Sequence, residues 1–139
     1  MASIIKEITI DTSPAAAWDA VRDWQALHER LVPGFVVSAE VDGDARVITF
    51  FDGMIATERI VGLDETARRL AWTVTDGSPG LEHYNASAQV IPEPGGGVRF
   101  VWTVDVLPHA AAAIVSARMD CGIQTIKHTL GRSPQADRG

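Results

Sequence analysis

A chain of 139 residues that is 46% apolar and 22% charged has the make-up of one soluble globular domain, and at this length folding hides roughly 70% of the unfolded surface, so a core needs no metal or disulfide staple. Eighteen acidic against twelve basic residues, a net charge of -6, argue against nucleic acid as a partner, because phosphate binding draws on clustered Lys and Arg. The lone Cys121 excludes an intramolecular disulfide and a multi-thiolate metal site. Lys6 and Glu7 interrupt the first apolar stretch and no segment reaches the ~18–20 apolar residues of a membrane span, so a cytoplasmic protein is expected.

In chain order, Ile4, Ile8 and Ile10 alternate as in a strand with one buried face. Thr12, Ser13 and Pro14 signal a helix start, and Trp18 and Val21 follow at helical spacing. A second short helix is expected from Trp24 to Leu31, ended by Pro33-Gly34. From Phe35 to Leu107 the pattern is an antiparallel meander, with turns at Asp42-Gly43-Asp44, Asp52-Gly53 and Asp64-Glu65-Thr66, a longer loop over Asp76–Gly80, and another over Pro92–Gly97. After Pro108 a long helix runs to Gly131, with Val115, Met119, Ile123, Ile126 and Leu130 on one stripe. The expected architecture is α+β: six or seven strands, two short helices after the first strand and one long helix, forming a single domain over 1–131 with a flexible tail over 132–139.

Strand parity assigns the inward faces. Leu70, Trp72 and Val74, then Tyr84, Ala86, Ala88 and Val90, then Val98, Phe100, Trp102, Val104 and Val106 are expected to point into the core, with the small alanines leaving room. A two-residue loop at Asp52-Gly53 pairs Phe51 with Met54, Thr49 with Ala56 and Val47 with Glu58, and since Phe51, Met54, Val47 and Ile60 are apolar, this face turns inward and carries the Glu58 carboxylate with it.

The segments Ser13-Pro14-Ala15-Ala16-Ala17-Trp18, Glu58 to Asp64 (ERIVGLD), Arg69-Leu70-Ala71-Trp72, Tyr84, Trp102 and Pro108 before the last helix, taken with the element order, resemble the SRPBCC helix-grip superfamily. That superfamily includes START lipid-binding domains, birch-pollen-allergen-like proteins, plant abscisic-acid receptors and aromatic polyketide cyclases. The resemblance spans about residues 3–130 and is nearest to the bacterial polyketide cyclase/dehydrase-like branch. It implies a curved sheet gripping the C-terminal helix, with a cavity between them for a small apolar molecule. Thr57-Glu58-Arg59 and Tyr84 resemble ligand-contacting motifs of the hormone receptors, whereas the receptors' gate and latch motifs are not retained at Asp52-Gly53 and Asp76–Gly80.

Glu58 has two readings: a buried carboxylate satisfied by Lys6, Arg46 or a backbone amide, or a polar anchor or general base whose pKa is raised by desolvation. Tyr84 reads as cavity lining, or as a phenol steadying an oxyanion. Phe51, Met54, Trp72, Phe100, Trp102 and Met119 are the expected ligand-binding wall, while Trp18 and Trp24 read as helix-to-sheet packing. The four histidines, His28, His83, His109 and His128, form no metal-ligand pattern, so neither metal nor cofactor is expected; Cys121 reads as a small core residue. Three functions follow. A small hydrophobic, aromatic or cyclic molecule is bound; or a cofactor-independent cyclase or dehydratase uses Glu58 and Tyr84; or the domain engages a protein partner, with a homodimer left open. Tyr84 is the one second acid-base group in view, so binding leads.

Overall fold

The computed structural model describes residues 2–77 and 80–131; Ser78 and Pro79 of the expected loop, and the expected tail, lie outside the described residues. Strand β1 (Ala2–Ile10) turns its even positions inward, Lys6 among them, and Lys6 reaches Asp120 at 2.9 Å rather than Glu58. Ser13 caps helix α1 (Pro14–Arg22) by accepting from the Ala16 amide at 3.0 Å, with proline in the first turn where no amide partner is lost. The expected second helix is a 3-10 turn (Trp24–Ala26) followed by a π turn (Leu27–Leu31).

Six strands then form a meander: β2 (Val36–Asp42), β3 (Ala45–Phe50), β4 (Ile55–Asp64), β5 (Arg69–Asp76), β6 (His83–Pro92) and β7 (Val98–Leu107). The sheet is antiparallel in the order β1-β7-β6-β5-β4-β3-β2. Register shifts in the β4–β5 pair, between Thr57 and Glu58 and between Ile60 and Gly62, are the kind of irregularity that bends and twists a strand, as wrapping around a helix requires. A 3-10 turn (His109–Ala111) leads into helix α2 (Ala112–Leu130), and its expected stripe is buried throughout. Gly122 belongs to that buried face as well. A Cβ there would lie 3.0 Å from the Trp102 ring, so glycine lets the helix seat closely on β7. This is the helix-grip fold.

The β3–β4 turn corrects the expected register. Phe50 and Met54 flank a three-residue loop, closed by the Phe50 amide on the Met54 carbonyl (2.8 Å) and the Gly53 amide on the Phe50 carbonyl (2.9 Å). A two-residue type I′ turn needs positive φ at both central residues, and here Gly53 has φ +88 while Asp52 does not. The pairs are therefore Arg46 with Glu58, Ile48 with Ala56 and Thr49 with Ile55, one residue from expectation. On β3 the faces exchange. Arg46, Ile48 and Phe50 turn inward, whereas Val47 stands on the outer side at 40% exposure and Phe51, in the loop, is 57% exposed and stays outside the cavity wall, its ring near Phe35 and Arg118. On β4 the inward set remains Ala56, Glu58 and Ile60, although the opposite face carries the larger apolar side chains Ile55, Val61 and Leu63, all of them exposed. Cys121 is also corrected: it is exposed, lying two positions and so roughly 200° around the helix from buried Met119.

Candidate functional site

Between the sheet and α2 lies a cavity of about 420 Å³, within the ~300–1,000 Å³ usual for small-molecule sites. Ala56 on β4 and Ala88 on β6 are too small to fill the space in front of them, and the larger side chains that surround them become walls. Trp72, Phe100, Trp102 and Met119 line it, as do Met54, Glu58 and Tyr84, so the structure brings together every expected site residue except Phe51. Its neighbour Phe50 takes that place. Leu27, Leu31 and Val32 enclose one side, while the rim reaches the surface at Gly80 and at Ile114, which is 70% exposed. Trp18 and Trp24 are not lining residues. Trp18 packs beneath the sheet end and donates its indole N–H to Glu65 at 2.6 Å.

Glu58 and Arg46 face each other across β3 and β4 and are both buried. Arg46 donates Nε to the carboxylate oxygen Oε1 at 2.9 Å and Nη1 to the Trp24 carbonyl at 3.0 Å, while Nη2 lies 2.8 Å from the same Oε1 as an ion-pair contact. Its guanidinium lies 3.6 Å from the centre of the Trp24 ring. Burial pushes the Arg46 pKa down, opposed by the Glu58 charge and hydrogen bond. Of the partners expected for Glu58, it is Arg46 that the fold supplies. The second carboxylate oxygen, Oε2, accepts from no described residue.

Tyr84 enters from β6 and lines the cavity. Burial is the main cause raising its pKa, the Glu58 charge adds to it and the positive charge of Arg118 opposes it, so the phenol lies within electrostatic range of both. The buried indole nitrogens of Trp72 and Trp102 find no partner among the described residues. Arg118, on α2, was not signalled by the sequence. It lines the cavity and binds Asp52 of the β3–β4 turn at 2.7 Å, a contact that needs the helix and the hairpin to meet. Arg118 sits four residues before Gly122, on the flank of the apolar stripe, where a basic residue reads as solvated surface.

The expected histidines lie elsewhere. His83 and His109 are exposed and do not line the cavity, and His28 sits in the π turn with Nε2 3.3 Å from Glu29. No group of three or more potential metal ligands occurs among the described residues, and no helix there is long and apolar enough to cross a membrane.

Solved structures share this architecture. A Thermobifida fusca protein superposes with a TM-score of 0.78 at 25% identity, covering 97% of each chain. An uncharacterised Bacillus thuringiensis protein gives 0.83 at 16% identity over 93% of this chain and 98% of its own. A START superfamily protein from Mycobacterium smegmatis gives 0.72 at 10% identity over 93% and 94%. A family model described as polyketide cyclase / dehydrase and lipid transport matches residues 1–131. With the fold, the cavity and the match all spanning the same residues, the chain belongs to the polyketide cyclase/dehydrase and lipid transport family.

Proposed function

We propose that this protein binds a small hydrophobic molecule, aromatic or cyclic, in the cavity between the sheet and α2. The observation that carries the reading is the cavity itself: about 420 Å³, walled by Trp72, Phe100, Trp102 and Met119, with a few polar groups converging on it. Flat ring walls favour a flat ligand, through offset and edge contacts between rings. Glu58 Oε2, held in place by the pairing of Oε1 with Arg46, is the acceptor for a ligand hydroxyl or N–H, and the Tyr84 hydroxyl is a second polar contact. A preorganised anchor of this kind orients a ligand without further loss of side-chain freedom.

A second reading has its own support. Tyr84 and Glu58 line one cavity close enough to interact electrostatically, which suits a cofactor-independent cyclisation or dehydration with Glu58 as acid-base group and Tyr84 as donor to a developing oxyanion. Binding leads because Oε1 of Glu58 is already engaged by two Arg46 nitrogens.

N-phenyl-1-naphthylamine, a neutral apolar fluorophore, tests the reading. It is expected to bind the native protein with enhanced emission and to quench the tryptophans. Ala88→Leu, which fills the cavity from β6, is expected to abolish binding while circular dichroism stays native. No binding by the native protein, or undiminished binding by a folded Ala88→Leu variant, would overturn the proposal.

A further inference from the structure

Two guanidinium groups line the cavity, and their states differ. Arg46 is fully engaged: two of its nitrogens bind Glu58 and the third binds the Trp24 carbonyl. Arg118 is not. Its Nη1 meets Asp52 at 2.7 Å, while Nη2 is buried and has no partner among the described residues. A guanidinium N–H removed from water without an acceptor is unfavourable, and any oxygen that reaches it relieves that cost.

The surroundings select what that oxygen belongs to. The Arg118 guanidinium carbon lies 4.7 Å from the centre of the Phe50 ring and 5.9 Å from those of Phe35 and Phe51, so apolar surface flanks the charge and weakens the competition from water. Asp52 belongs to an exposed turn and is 39% exposed in its side chain, so it can return to solvent when another anion arrives. Glu58 stands four residues along the chain from Met54, ~13 Å for an extended strand, and its charge is matched by Arg46. The Tyr84 hydroxyl lies within electrostatic range of both Glu58 and Arg118, and the buried indole N–H groups of Trp72 and Trp102 are donors without acceptors among the described residues. Among the described lining residues, the buried side-chain atoms left without a partner, Arg118 Nη2 and the Trp72 and Trp102 indole nitrogens, are all donors.

We infer that Arg118 is the anion anchor of the cavity, and that the ligand is amphipathic: an apolar ring system carrying one acidic oxygen group, a carboxylate or sulfonate, that pairs with Arg118 near the β3–β4 turn. The inference rests on the cavity being a binding site, and it adds the ligand's charge and the end at which that charge sits. Planar guanidinium binds such oxyanions through parallel N–H donors, which a neutral ligand of the same shape cannot exploit.

Two fluorophores with the same apolar body separate the ideas: 8-anilinonaphthalene-1-sulfonate, which is anionic, and neutral N-phenyl-1-naphthylamine. The native protein is expected to bind both and to prefer the sulfonate. Arg118→Met is expected to weaken the sulfonate by about tenfold or more and to change the neutral probe by less than about twofold. Arg118→Gln, which keeps a polar contact to Asp52, is the second variant and is expected to show the same selective loss. Equal loss of both probes in both variants, or an unchanged sulfonate affinity, would overturn the anchor while leaving the cavity reading intact. Binding of the neutral probe with no sulfonate binding would do the same, and binding of neither would remove the cavity reading and the anchor together.

Discussion

Glu58 is tolerated in an apolar wall because Arg46 comes with it. Two charges withdrawn from water together can be nearly neutral for stability, but removal of one strands the other, at a cost of about 3–5 kcal/mol. Arg46→Met and Glu58→Leu are each expected to destabilise by about that amount in chemical denaturation, and the double variant by less than either single change. Additive losses would show that the two side chains act independently. Tyr84 offers a second, spectroscopic check, since it is the single tyrosine in the chain. Its pKa is raised in the folded state, by burial first and by Glu58 second, so between the ordinary phenol value and the raised one the folded protein holds a proton that the unfolded chain has lost. Stability from this group is complete below about pH 10 and declines as pH rises above it. Phenolate absorbance is accordingly expected to appear only with alkaline unfolding, and a reversible native titration near pH 10 would contradict the buried placement.

At the scale of elements, turns decide which side chains meet. Gly43 opens the β2–β3 hairpin with φ +63 and a two-residue loop, while Gly53 closes a three-residue one, and the difference of one residue puts Phe50 rather than Phe51 into the cavity wall. Gly77 carries a harder constraint where β5 ends. With φ +107, a Cβ there would run into the backbone carbonyl oxygen of Ile55, whereas Gly80, φ +84, faces open space. Gly77→Ala is expected to cost about 2 kcal/mol or more in thermal or chemical unfolding, from the left-handed backbone and the overlap together. Gly80→Ala meets only the backbone term and is expected to cost about 1 kcal/mol. Equal costs would mean that β5 leaves the sheet differently from the path described.

Across the whole molecule, the acidic surface is held by arginines that tie separate elements together. Arg22 of α1 binds Glu65 in the β4–β5 turn, Arg30 of the π turn binds Asp19, and Arg118 of α2 binds Asp52, each at 2.7 Å. Hydrogen bonds from these arginines are the leading cause holding all three carboxyl groups below their usual values. A depressed carboxylate adds stability above its unfolded pKa and loses it as pH falls through the folded one, so acid unfolding is expected to begin below the ordinary carboxylate range. Glu65→Gln removes one such contribution and is expected to flatten the fall in stability between about pH 5 and pH 3. An unchanged slope would show that the Glu65 pair contributes nothing, as many exposed pairs do.

Local periodicity was enough to assign the inward faces of β5 to β7 and the buried stripe of α2, because alternation over five or more residues is a property of the segment alone. Glu58 was reached through the hairpin, by sharing a face with Met54 and Ile60, and that parity along β4 survived the one-residue change in its pairing with β3. The short β3 carried no such signal, since Arg46, Ile48 and Phe50 compete with Val47, Thr49 and Phe51 as apolar sets, and a one-residue change in the loop chose between them. The choice of Arg46 from the partners open to Glu58, the place of Phe50 in the wall, the exposure of Cys121 and the arrival of Arg118 at the cavity were decided only by the tertiary structure. Each depends on a turn's backbone angles or on how a helix is rotated over a sheet, and both are set by contacts between residues far apart in the chain.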